Sequence, residues 1–374
     1  MSKGLLYVGF IVMIIICLTG CSDRLDMEDA SFPLALGLDI DANDKFHIYV
    51  TNPVFSKNVK KKSHEISEPA HTLRQSRVQQ DAHSPGVFQG RKFQVILVGK
   101  RMLQHKDWFR MLDVIFRDSR NTVTDRVIAF DGPVSEIIYL NPDDQPYLPL
   151  LLRGMVDTKS ERSETVKTTA QELHRDIYEK GITPSISEVK LDENKNIQLN
   201  GATLLDHRGK YSATLETQET VLLNILQNKT SKSVNLTLPI PGITKKGPFD
   251  RDKVSFNAEK IKTKIKTSYK QDKFRFDVNI QMDVVLTEIL FPVSVRNKGV
   301  DLEKMIGEQV QKETNALIRK IQSHKIDPVG FGLYARAYQY KHYKEAEDHW
   351  GQELANADIQ VSVNVSILGM GPVK

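Results

Sequence analysis

The sequence predicts an α+β, multi-domain protein built mainly from antiparallel sheets with packed helices, its C-terminal sheet crossed by a long helix. Three observations carry that expectation. Phe274, Phe276, Val278, Ile280, Met282, Val284 and Leu286 alternate with other residues without a break, the period of a strand with one buried face. Leu302, Ile306, Val310, Leu317 and Ile321 then recur at helical spacing. The chain has 374 residues, enough for two or three domains of roughly 150 residues each. Hydrophobic residues at 40% and charged residues at 26% exclude wholesale disorder. Two Cys exclude a disulfide scaffold and a Cys-rich zinc module. A net charge of +5 is too weak to indicate nucleic-acid binding without a localised patch.

The N-terminus sets the compartment. Lys3 precedes an unbroken apolar and Gly stretch from Gly4 to Leu18. That is short for a spanning helix, which needs about 20 residues. A positive start, a short apolar core and small residues after it read as an export signal. Leu18-Thr19-Gly20-Cys21 resembles the bacterial lipoprotein box, in which the Cys thiol takes a diacylglycerol and becomes the new N-terminus. Cys17 would leave with the signal, so the mature chain from Cys21 would hold no free thiol. The alternative is an uncleaved anchor helix ending near Gly20. No later stretch is long and apolar enough to span a bilayer.

Along the mature chain, Leu34, Leu36, Leu38 and Ile40 alternate strictly. Phe46, Ile48 and Val50 resume after the turn residues Asp41-Ala-Asn-Asp44, which predicts an antiparallel hairpin. Ser56–Pro69 is polar, with Lys57, Lys60, Lys61 and Lys62 clustered, and a polar helix is expected over 71–82. Phe93–Val98 is a continuous apolar run, the mark of a strand covered on both faces. Trp108, Met111, Leu112, Ile115 and Phe116 have helical spacing with Asp107 as N-cap. Thr122–Phe130 reads as a strand and Pro133–Leu140 as a short helix. An irregular zone with Pro142, Pro146 and Pro149 precedes a helix with a Thr158–Glu161 capping box, a stripe of Val166, Ala170, Leu173 and Ile177, and Gly181 at its end. Strands are expected at Ile197–Leu205 and Tyr211–Leu215, and a helix from Thr217. In the C-terminal third the phase of alternation shifts between Ala258 and Ile261, as a β-bulge would leave it. Asp327-Pro328 starts a further helix, and the last strand alternates from Ile359 to Ile367.

No catalytic or metal motif emerges. The His residues are scattered, and His342 and His349 lack a suitably spaced carboxylate. There is no G-x-S-x-G elbow, and Gly330-Phe-Gly332 lacks the third Gly of a nucleotide loop. Asp143-Asp144 sits among prolines and reads as a solvated turn. Lys57, Lys60, Lys61 and Lys62 have two readings, a solvated loop or a contact with anionic headgroups. Lys260, Lys262, Lys264 and Lys266 share a strand face by period two, either an exposed face or a dock for an acidic partner. The aromatics do not interleave with these lysines, which disfavours nucleic acid. Phe331, Tyr334 and Tyr338 are expected in the core, with Tyr340 and Tyr343 exposed.

Cys21-Ser-Asp-Arg-Leu-Asp-Met27, leading into LALGLD at Leu34–Asp39, resembles the mature start of the Ger(x)C family of spore-germination lipoproteins, the C subunits of nutrient germinant receptors. The family usually has Trp after the lipidated Cys and Glu three residues after the Asp, where this chain has Ser22 and Asp26. Phe93–Gly99, Arg117-Asp118 and Asp327-Pro-Val-Gly-Phe-Gly332 before a Tyr-rich helix extend the similarity over nearly the whole mature chain. The resemblance implies a signal peptide over 1–20 and α+β domains over 21–195 and 196–374, the second divisible at 250/251. It implies a covalent lipid on Cys21, as S-diacylglycerol with N-palmitoyl, and no other cofactor. It also implies integral-membrane A and B subunits as partners, placement on the outer face of the spore inner membrane, and no catalytic residues. The alternatives are a solute-binding lipoprotein of a transporter and a lipid-tethered cell-wall hydrolase.

Overall fold

The computed structural model describes residues 30–54, 61–84, 86–88, 92–119, 121–140, 145–230, 232–240, 252–291 and 295–369, together with positions 4 and 249. The signal stretch, Cys21, Lys57, Lys60 and Asp143-Asp144 lie outside them.

After β1 (Ala30–Ser31), the alternating residues form the expected hairpin of β2 (Ala35–Ile40) and β3 (Phe46–Pro53). Asp41 closes it by accepting from the N–H groups of Asn43 and Lys45. β3 pairs antiparallel with β4 (Ser63–Pro69). The polar helix α1 (Leu73–Ala82) follows, with Thr72 Oγ1 accepting from Gln75 N at 3.1 Å. The chain then passes through β5 (Val87–Phe88), parallel to β1, into β6 (Val95–Gly99). β6 is apolar throughout because it lies parallel between β2 and β7 (Arg126–Phe130), with both faces covered.

From β6 the chain crosses to β7 through α2 (Lys100–Leu103), a 3-10 turn at Trp108–Leu112 and α3 (Asp113–Arg117). The single expected helix is therefore broken in two, and Asp107 makes no side-chain cap. After β7 come α4 (Val134–Ile138), α5 (Leu148–Glu161) and α6 (Ala170–Tyr178). α5 was not expected among the prolines, yet Pro149 lies in its first turn, where a missing N–H is harmless. Thr158–Glu161 is the end of α5 and not a capping box. The box is at Thr169 and Glu172, whose side chains and N–H groups bond reciprocally at 2.9 and 3.2 Å. β8 (Ser185–Leu191) joins β7 in parallel, and β9 (Ile197–Leu205) and β10 (Tyr211–Leu215) add antiparallel strands. The eight-stranded order is β10-β9-β8-β7-β6-β2-β3-β4, a parallel centre with antiparallel flanks. One face packs Leu36, Ile96 and Val98 against Trp108, Leu112 and Leu173. The other packs Leu97, Ile128 and Phe130 against Ile137, Leu152 and Val156.

α7 (Thr217–Leu226) leads to a second sheet of β11 (Val234–Pro239), β12 (Lys253–Lys270), β13 (Lys273–Ile289) and β14 (Asp358–Gly369), in that order. The bulge is where the phase shift placed it. Glu259 faces Asp283 but Lys262 faces Gln281, and Lys260 takes φ +45°. The long helix α8 (Val295–Ser323) buries Leu302, Ile306, Val310, Leu317 and Ile321 against this sheet. α9 (Phe331–Tyr338), α10 (Tyr340–Ala346) and α11 (Trp350–Asn356) complete the layer. β14 runs parallel to β13, so the second sheet is mixed rather than wholly antiparallel. Two tyrosines exchange places against expectation: Tyr338 is exposed and Tyr343 buried, because the helix breaks at Gln339 and its phase restarts.

The division expected at 195/196 falls in the turn between the paired strands β8 and β9, and that at 250/251 between β11 and β12. The two sheets meet where the segment before β8 touches the start of α9. Thr183 N donates to Asp327 O at 2.8 Å, and Asp327 N donates to Thr183 Oγ1 at 3.0 Å. Gly181, beyond the end of α6, lies backbone to backbone against Gly332. A Cβ at Gly332 would stand 2.7 Å from Gly181 Cα and 2.8 Å from Trp350 Nε1. Gly332→Ala is therefore expected to cost about 1–3 kcal/mol, read as a lower urea midpoint at unchanged slope. Gly154→Ala, on α5 with open space around its Cβ, is expected to stabilise by up to about 1 kcal/mol.

Candidate functional site

The large sheet has two working edges. At its amino edge β2, β6, β7 and β8 begin, and the chain arrives there from the N-terminus through β1. The chain from Cys21 to Ala30 spans at most about 30 Å when extended. β3 is antiparallel to β2, with Thr51 opposite Ala35, so β3 ends at this same edge. The connection that carries the lysine cluster runs from Pro53 to Ser63, which face each other across the β3–β4 ladder. Topology thus brings the entering chain and the lysine-bearing connection to one edge. Lys61 and Lys62 are described and exposed. Lys61 is already paired with Glu65, whose carboxylate is almost fully buried.

Asp125 lies at this edge just before β7. Its carboxyl is buried and, among the described residues, accepts a 3.3 Å bond from Thr122 Oγ1 and leaves Oδ2 without a partner. Burial pushes its pKa up to about 7.

At the carboxyl edge, Asp39 ends the LALGLD stretch. Its Oδ1 accepts from Ile40 N at 2.8 Å and its Oδ2 from Val134 N at 2.7 Å, tying β2 to α4. The carboxylate fits because residue 99 is Gly; any Cβ there would overlap Oδ1. Burial raises its pKa against the two N–H donors. Beside it, Lys100 Nζ donates to Asp131 Oδ1 at 2.7 Å. Asp41, with Lys45 N as its leading donor and then His47, is held down at about 2.

Two further buried carboxylates were missed as centres. Asp327 Oδ1 accepts from Gly330 N and Phe331 N, and Oδ2 from Gly332 N and Trp350 Nε1, at 2.8 to 3.0 Å. Asp327 therefore caps α9 without being its N-cap residue, which is Gly330 at φ +87°. The Asp-Pro-x-Gly pattern was the available signal. Glu188 accepts from Asn200 Nδ2 at 2.7 Å, Thr214 Oγ1 at 2.8 Å and Thr203 Oγ1. The oxygens of Asp39, Asp327 and Glu188 are taken up by structural donors.

The remaining candidates stay apart. His342 stacks on Tyr269 at 3.7 Å and 9°, whereas His349 pairs with Glu353 at 3.3 Å. Lys260 sits in the bulge and pairs with Asp283 at 3.3 Å, and Lys262, Lys264 and Lys266 are exposed on β12. Among the described residues, no cluster of three or more His, Cys, Asp or Glu could hold a metal. No helix among them is long and apolar enough to cross a membrane.

Two family models match the chain. One, described as "Spore germination protein N-terminal domain", covers residues 23–191, and the other, "Spore germination B3/ GerAC like, C-terminal", covers 200–371. Spore germination protein B3 of Bacillus subtilis (strain 168) is 21% identical over 98% of this chain and 97% of its own length. Spore germination protein KC of the same organism is 19% identical over 99% and 97%. The crystal structure of the GerBC protein shares the fold at a TM-score of 0.58 and 18% identity, covering 89% of this chain and 96% of that one.

Asp125 generates a pH prediction. Its folded-state pKa of about 7 exceeds the usual 3.8, so folding favours the protonated form. Its contribution is full below about pH 4 and is lost as pH rises through about 7, a change of up to about 4 kcal/mol. Asp125→Asn should gain stability on the wild type as pH goes from 5 to 8. Urea midpoints that keep a constant separation over that range would contradict the assignment.

Proposed function

The chain belongs to the Ger(x)C family of spore germination proteins, and from that membership we propose that it is a lipid-anchored, non-catalytic subunit of a nutrient germinant receptor. In this reading Cys21 carries S-diacylglycerol and an N-palmitoyl group and holds the folded part on the outer face of the spore inner membrane. Integral-membrane A and B subunits are its partners there, and the complex is needed for germination in response to nutrients such as amino acids or sugars. Two acyl chains give a stable anchor where one is marginal.

The observation that carries the reading is the shared edge. The start of β2, to which the tether leads, and the two ends of the connection that bears Lys57, Lys60, Lys61 and Lys62, at Pro53 and Ser63, lie on the same side of the large sheet. That arrangement supports an orientation in which the amino edge faces the membrane and the lysines meet anionic headgroups. The structural donors that occupy Asp39, Glu188 and Asp327 support a scaffold over a hydrolase. The two sheets differ in size and strand order, which does not suit the paired lobes of a solute-binding protein.

Fractionation tests the tether. Cys21→Ala should shift the protein from the membrane to the soluble fraction and remove palmitate label, and label retained on this variant would exclude Cys21 as the anchor. Deleting the gene should abolish the nutrient response and spare non-nutrient triggers; a normal nutrient response with no paralogue present would refute the receptor role. In the Cys21→Ala background, Gln at Lys57 and Lys60 should weaken binding to phosphatidylglycerol vesicles by about 1 kcal/mol per lysine. Lys61→Gln should weaken it less than either, because Glu65 already engages that charge.

A further inference from the structure

Opposite the tether, outside the carboxyl ends of β2, β6 and β7, lies a crevice of about 520 Å³. Its position follows from connectivity. β2 is followed by strands on one side of it, β3 and β4, whereas β6 is followed by strands on the other, β7 and β8. Connections that leave adjacent parallel strands in opposite directions open a gap between them, the usual place for a ligand in an open sheet with a parallel centre. The volume falls within the range of small-molecule sites.

The lining is mixed, and its polar groups are unevenly satisfied. Asp39 at the floor is occupied by Ile40 N and Val134 N, and Lys100 is occupied by Asp131. Arg101 and Gln104 are exposed on the wall and, among the described residues, make no side-chain hydrogen bond or ion pair; Arg101 acts on Asp39 only through space. The crevice thus presents one planar cationic fork with free donors. Asp41 already accepts from Asn43 N, Lys45 N and His47, and Asp131 from Lys100, but each carboxylate keeps lone pairs for a further donor, and the Ser135 hydroxyl can accept as well as donate. A phosphate dianion would meet three carboxylates here, at Asp39, Asp41 and Asp131. A purely apolar ligand would meet Ile40, Ala42, Pro133 and the Tyr49 ring but would leave the Arg101 donors without a partner. One carboxylate placed on Arg101, with hydroxyl donors turned toward the acid residues, matches both walls.

We propose that this crevice binds a small polyhydroxy carboxylate, with Arg101 and Gln104 holding the carboxylate and Asp41, Asp131 and Ser135 accepting from the hydroxyls. The site opens at the carboxyl edge of the sheet, opposite the edge at which β2, β6 and β7 begin. It goes beyond the receptor assignment and does not depend on it.

The test is calorimetric titration of the full-length lipidated chain in detergent micelles. The probes are D-gluconate, D-glucitol, which lacks the carboxylate, and hexanoate, which lacks the hydroxyls. Gluconate should bind saturably and at least about tenfold more tightly than either control. Arg101→Gln should lower its affinity by about tenfold or more, to the level of glucitol, and Arg101→Lys should fall between because an ammonium cannot fork. Arg101 is exposed, so these variants fold, and Lys304→Gln on α8 should leave binding unchanged. Absence of saturable gluconate binding up to about 20 mM, equal affinity for glucitol, or unaltered binding by Arg101→Gln would each overturn the proposal. None of these results bears on the fractionation of Cys21→Ala, so the two readings fail separately.

Discussion

A single buried carboxylate organises the joint between the two sheets. Asp327 is fully enclosed, yet four N–H groups converge on it, three from the backbone of Gly330, Phe331 and Gly332 and one from the Trp350 indole. Those bonds fix the start of α9 and its distance from α11, and Thr183 bonds the backbone of the same residue from the other sheet. Trp350, held by the carboxylate, packs edge-on to Phe274 at 5.1 Å and contacts Tyr343 at 5.4 Å. The aromatic centre of the second sheet therefore takes its geometry from one acid. Enclosure pushes the group up to about 6 even against four donors, which shows how strongly the surroundings exclude water. A buried acceptor of this kind costs desolvation and returns geometric definition through charge-assisted bonds.

Much of this arrangement could be read from residue order. β12 and β13 are long, half-exposed strands, so alternation is strict, and the bulge declares itself as a shift of phase between Ala258 and Ile261. β6 was recognisable because a strand covered on both faces is apolar at every position. β8 was invisible for the converse reason. Its buried positions include Ser185, Ser187 and Glu188, where Ser187 donates to Val166 O and Glu188 accepts from Asn200, so these positions are held by hydrogen bonds instead of by apolar contact. The direction of β14 could not be read either, since alternation reports which face is buried and not which way the chain runs. Tyr338 and Tyr343 were transposed because helical spacing was carried through Gln339, where the helix in fact breaks.

The candidate sites divide along similar lines. The cysteine and the lysine run are local patterns and were identifiable as such, whereas the placing of the start of β2 and the ends of the β3–β4 connection on one sheet edge needs the register of β2, β3 and β4. The crevice at the other edge is a product of connectivity. Asp39, Arg101 and Asp131 are far apart in the chain and meet only because β2, β6 and β7 are adjacent and parallel. The two edges of this sheet lie little more than the length of a strand apart.

The parallel placement of β14 against β13 has a consequence for biogenesis. β13 is complete at Ile289, but its partner does not exist until residues 358–369 have been made. Until then one long edge of β13 is an open template for pairing with another molecule. A chain that emerges progressively therefore carries this half of the molecule unfinished until β14 has been made. Closure of the second sheet is a late event in folding, and protection from mispairing is most needed at that strand.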